Sequence, residues 1–150
     1  MSAGELRVRG LTDRLLSVAR VGDLDGLAAQ LATLIGSDAP RRQLFEPVLL
    51  ELVSTVVATL RSRASRPTDG GEDDLYYVDV LDVDDEPVDI DEVQPALRAV
   101  LRAVLAGLNA NAGDVRFQIG LVTEDPDPLA RLDAVVHALL WANALGCGQD

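Results

Sequence analysis

Asp133, His137 and Trp141 recur every four residues near the end of the chain, so on a helix they share one face. A carboxylate one turn from an imidazole favours its protonated form, and an indole beside them suits a flat or cationic ligand. That pattern is what an acid–base dyad would require. His137 is the single histidine, and no serine, cysteine or second acid is spaced to complete a nucleophilic set. The pattern reads more simply as a local Asp–His pair beside a core tryptophan, and no catalytic residue is assigned.

A second candidate lies in the middle of the chain. From Asp69 to Glu92, twelve of 24 residues are acidic and none is basic. Calcium needs six to eight oxygens around a sharply turned loop. With Asp82 at the first position of such a loop, Asp84 and Glu86 fall third and fifth. Pro87 then occupies the position that needs glycine, and Val93 the one that needs glutamate. No metal site or cofactor is expected.

The segment is also not a plain acidic run, because Tyr76, Tyr77, Val78, Val80, Leu81, Val83, Val88 and Ile90 are threaded through it. Aromatic and aliphatic groups set among carboxylates suit a docking surface, with the charge speeding encounter with a basic partner. Tyr76, Tyr77, Asp79, Asp82, Asp84, Asp85 and Glu86 are the partner-binding candidates. The alternative is internal neutralisation by Arg61, Arg63, Arg66, Arg98 and Arg102, but five arginines cannot balance twelve acids.

Charge excludes other classes. The chain has 13 arginines, no lysine and 25 acids, a net charge of −12. Such a surface repels nucleic acid and anionic membrane. Arg41, Arg42, Arg61, Arg63 and Arg66 lack interleaved aromatics and make a poor nucleic-acid patch. Cys147 is alone, so no intrachain disulfide forms, and it carries no metal-ligand spacing. The N-terminus lacks the apolar core of a leader, and the apolar stretch Ala134–Leu145 is too short to span a bilayer. A cytoplasmic, soluble protein is expected. The Arg-only basic set with abundant Ala, Gly and Asp is the composition expected from a GC-rich bacterial genome.

The elements that would position these groups are helical. Leu11, Leu15 and Val18 mark a first helix ending before Gly22. Asp23 has the chemistry of an N-cap for a second, with its stripe at Leu24, Leu27, Leu31, Leu34 and Ile35 and a stop at Gly36. Ser37 or Asp38 is the expected cap of a third helix, with its stripe from Phe45 to Leu60 and a kink or fresh start at Pro47. Pro67 to Gly71 breaks the pattern. A fourth stripe runs from Val93 to Leu108, beginning at the Asp89/Glu92 capping box or at Gln94–Pro95. Asp114 is the expected cap of a short helix, and Asp127 with Pro128 opens the last. From Ala134 that last helix is apolar nearly all round, which places it centrally or in a homodimer interface.

The fold expected is all-α: a single domain over residues 1–150, a compact bundle of five to six helices with an irregular acidic crossover at 67–92. Short loops imply antiparallel sequential neighbours. The alternative is α+β, with a short strand near Tyr76–Val83 pairing with Phe117–Val122. With only five aromatic residues, the core must be Leu, Val and Ala. The function expected is non-enzymatic: an adaptor, regulator or chaperone-like module offering an acidic surface to a basic protein. The alternatives are an assembly subunit that forms homo-oligomers through its last helix, and an enzyme built on Asp133 and His137.

Overall fold

The computed structural model describes residues 3–64 and 95–147. They form six α-helices: α1 (Ala3–Val21), α2 (Leu24–Ile35), α3 (Phe45–Ala64), α4 (Pro95–Leu108), α5 (Ala112–Thr123) and α6 (Pro128–Cys147). A 3-10 turn, Arg42–Leu44, leads into α3. No strand occurs among the described residues, and the fold is an all-α bundle. Tyr76–Val83, the candidate strand, lies outside the described residues. Its suggested partner, Phe117–Val122, is helical within α5.

Local chemistry sets most of the boundaries. Gly22 ends α1 with φ +77°, and Asp23 N–H reaches back to the Val18 carbonyl at 3.2 Å. The same Asp23 opens α2, its Oδ1 accepting from Gly26 N at 2.9 Å. One residue therefore closes one helix and caps the next, which keeps the link short and the pair antiparallel.

Two caps differ from expectation. α3 does not start at Ser37 or Asp38. Residues 36–41 turn first, and Pro47 falls in the first helical turn, where its missing N–H had no partner to lose. α5 is capped by Asn111, not Asp114: the Asn111 side-chain oxygen accepts from the Asp114 backbone N–H at 3.1 Å. The Asp127 cap holds, accepting from Leu129 N at 3.0 Å with Pro128 at the first helical position.

The helix directions follow from which ends meet. Arg61, near the C-terminus of α3, reaches the last carbonyls of α4, and Arg63 reaches Leu145 near the end of α6. Asn143 on α6 donates to the Leu16 carbonyl of α1 at 3.2 Å. These four helices thus run in one sense. α2 and α5 run in the other: Arg131 at the start of α6 meets the end of α2, and Arg42, just before α3, meets the end of α5. Every sequential pair is antiparallel except α3 and α4, which are parallel. Their facing ends explain the exception. The exit at Ala64 and the re-entry at Pro95 lie at opposite ends of α4, a helix of 14 residues and hence about 20 Å.

α6 touches each of the other five helices, while its Leu129 and Leu140 stay exposed. Ala134, Val135, Ala138 and Leu139 are buried there. The core is aliphatic as expected. Phe45 is the largest fully buried side chain among the described residues, while Phe117 is 61% exposed. Among the described residues one helical stretch, Arg42–Arg63, is long and apolar enough to cross a membrane by length and composition alone. Here its Val48, Leu49, Leu52 and Val53 are buried in the bundle.

Two backbone positions test this packing. Gly107 lets α4 approach α3, since a Cβ there would lie 2.7 Å from Val57 Cγ2. Gly107→Ala should therefore destabilise the protein by about 1–3 kcal/mol, despite alanine's better helix propensity. Ala110 closes α4 with φ +59°, a conformation that costs an L-residue strain and glycine none. Ala110→Gly should stabilise by roughly 0.5–1 kcal/mol. Urea unfolding midpoints of the two variants, read against the parent, check both signs.

Candidate functional site

The partner-binding candidates Tyr76, Tyr77, Asp79, Asp82, Asp84, Asp85 and Glu86 lie outside the described residues, as do the residues tried as a calcium loop. What the structure describes is the body from which that segment leaves and to which it returns. Arg61 and Arg63, two of the arginines that could neutralise part of the segment, donate to carbonyls at helix ends of the body.

Arg61 Nη2 donates to the Gly107 carbonyl at 2.6 Å and to the Leu108 carbonyl at 3.3 Å, the last two residues of α4. Arg63 donates to the Leu145 carbonyl near the end of α6. Arg42 donates to the carbonyl of Thr123, the last residue of α5, while its guanidinium carbon sits 5.5 Å from the Phe45 ring centroid. Arg131 Nε donates to the carbonyl of Ile35, the last residue of α2, at 2.8 Å. Each helix C-terminus exposes carbonyls with no intrahelical partner and carries the negative end of the dipole. In four of the helices a guanidinium from elsewhere in the chain supplies both the hydrogen bond and the charge.

Arg131 is the deepest of these, only 2% exposed. Its position in the first turns of α6 is unfavourable to a cation by that helix's own dipole. The antiparallel neighbour α2 offers a carbonyl end at the same place, and Nη1 also reaches the Asp125 carbonyl at 2.6 Å. Burial, and then the Arg42 guanidinium, pull the Arg131 pKa below its usual value; Asp125 and Asp127 push it back. The remaining nitrogen, Nη2, is buried without a hydrogen-bond partner.

The Asp133–His137–Trp141 face is formed, but not as a dyad. His137 Nδ1 lies 2.7 Å from the backbone carbonyl oxygen of Asp133, not from its carboxylate. A carbonyl only accepts, so Nδ1 carries the proton and the ring is fixed in that tautomer. Trp141 meets it edge-on, with centroids 6.2 Å apart and planes at 62°. Both residues are half-buried. Among the described residues, no three His, Cys, Asp or Glu side chains are grouped to hold a metal ion.

Arg98 and Arg102 line a small cavity shared with α5, where Gln118 and Asp125 also lie. Neither Gln118 nor Arg131 stood out in the sequence. The available signal for Arg131 was a lone cation placed at the cation-averse start of an otherwise apolar helix.

Comparisons of the chain with protein-family models, with curated proteins and with solved structures found no match.

Arg131→Ala should cost about 2–4 kcal/mol by leaving the buried Ile35 carbonyl and the part-buried Asp125 carbonyl without donors. Arg131→Lys should recover only part of this, because an ammonium cannot present the planar fork. His137→Gln should cost less than about 1 kcal/mol, since a half-buried local hydrogen bond is all that is lost. Differential scanning calorimetry of the three variants orders them.

Proposed function

We propose that the protein is a non-enzymatic interaction module whose acidic segment engages a basic protein partner. The observation that carries this reading is a partition of charge. Residues 3–64 and 95–147, the described helical body, hold twelve arginines and twelve acids. Residues 65–94 hold twelve acids against Arg66 alone, so nearly all of the net charge of −12 belongs to them.

Four of the body's arginines are committed to helix ends, and that supports the reading further. A guanidinium that caps one helix cannot leave to screen carboxylates without giving up its hydrogen bond to that helix's end. Long-range attraction from so anionic a stretch would steer a basic partner and raise its association rate, with strong dependence on salt. Tyr76 and Tyr77 would then supply apolar contact area at small cost in side-chain entropy.

The test uses the full chain as bait in native cell extract. Salt-sensitive capture of a basic protein is expected. A variant carrying Asp82→Asn, Asp84→Asn, Asp85→Asn and Glu86→Gln should lose that capture, and Tyr76→Ala with Tyr77→Ala should weaken it at fixed charge. Equal capture by the neutralised variant, or no captured basic protein, would overturn the reading.

A further inference from the structure

A cavity of about 230 Å³ lies between the N-terminal half of α4 and the C-terminal half of α5. Arg98, Arg102, Gln118 and Asp125 line it together with apolar residues that include Ala99 and Val122. It is smaller than the roughly 300–1,000 Å³ of drug-sized sites, so an occupant must be small.

Gln118 is the informative residue. It is 8% exposed, and its Oε1 is buried without any hydrogen-bond donor. Buried amides are almost always paired, and an orphaned acceptor costs about 1–3 kcal/mol. The polar group lies beside the cavity, and among the described residues nothing donates to it. A ligand that donates would satisfy it.

The other polar groups narrow the chemistry. Arg98 calls for an anion, and a planar guanidinium matches a carboxylate well. Gln118 Oε1 calls for a donor, and the negative charge of Asp125, whose Oδ1 already accepts from Asp127 N at 2.8 Å, favours a cationic one. A simple anion satisfies the arginine and leaves the Gln118 acceptor unmet. An amine does the reverse. Both demands are met by one small molecule with a carboxylate and an ammonium on adjacent atoms, while Ala99 and Val122 accept a short apolar side chain. We infer that the cavity between α4 and α5 is a binding site for a free α-amino acid with a small side chain, its carboxylate on Arg98 and its ammonium toward Gln118 and Asp125.

Three matched probes separate the parts. L-Alanine carries both groups, propionate lacks the amine and ethylammonium lacks the carboxylate. Isothermal titration of the full chain should give a Kd for L-alanine of about 1 mM or tighter, and values at least about tenfold weaker for each half. Arg98→Gln and Gln118→Leu should each weaken L-alanine binding about tenfold or more, a change of ~1.4 kcal/mol. Gln118→Leu should keep the helical circular dichroism and lose no thermal stability, because it removes an unpaired buried group. In the unsubstituted protein, the Gln118 side-chain amide resonances should move on addition of L-alanine. Propionate binding as tightly as L-alanine would mean that the amide is turned the other way and the site reads only an anion, which overturns the inference. Absence of heat with L-alanine, unchanged binding by Gln118→Leu, or stationary Gln118 resonances would overturn it equally.

Discussion

Helix C-termini in this bundle are closed by arginines that belong to other parts of the chain. Arg131 closes α2, Arg61 closes α4, Arg42 closes α5 and Arg63 closes α6. Every helix end leaves carbonyls that must find donors once water is excluded. A guanidinium is suited to this, because it keeps its charge under any condition in which the fold survives and directs several N–H groups in one plane. Hydrogen bonds to charged donors contribute about 1.5–3 kcal/mol each, several times the worth of an exposed ion pair. The exposed Arg9–Glu51 pair, at 3.8 Å, is minor beside them.

These bonds also carry topological information. A donor near one helix end reaches the carbonyl end of a neighbour only if that end lies alongside. The pairs therefore encode which helices run together. α3 and α4 run in the same sense because Arg61 joins their C-termini, and this separates the exit at Ala64 from the re-entry at Pro95 by the length of α4. The consequence for charge is direct. The body balances itself, with twelve arginines against twelve acids, and several of those arginines are fixed in place. The acids of residues 65–94 are left to set the electrostatic character of the protein.

Much of the helical pattern was legible. The stripes of α1, α2 and α4, the stop at Gly22 and the caps at Asp23 and Asp127 follow from short-range rules, because a cap or a period involves residues within a turn or two. The failures were also local in origin. Ser37, Asp38 and Asp114 have good capping chemistry, and so does Asn111. Which one caps depends on where the preceding segment brings the chain, and for α3 a 3-10 turn intervened. The Asp133–His137 spacing was read correctly as a shared face. The bond that formed uses the main chain, because a backbone carbonyl four residues back is always within reach of a helical side chain and a carboxylate reaches only in some rotamers.

By itself the sequence determined the all-helical class, the aliphatic core, the poverty of reactive groups and the concentration of negative charge in one segment. Each of these depends on composition or on spacing within a few residues. Only the tertiary structure decided that α3 and α4 are parallel, that α6 touches every other helix, that arginines close the helix ends, and that Gln118 lies unpaired beside Arg98 and Asp125. Those features join residues far apart in the chain, 96 positions for Arg131 and Ile35 and 127 for Asn143 and Leu16. No periodicity along a chain records which of its ends will meet, since that is settled by the packing of all the helices at once.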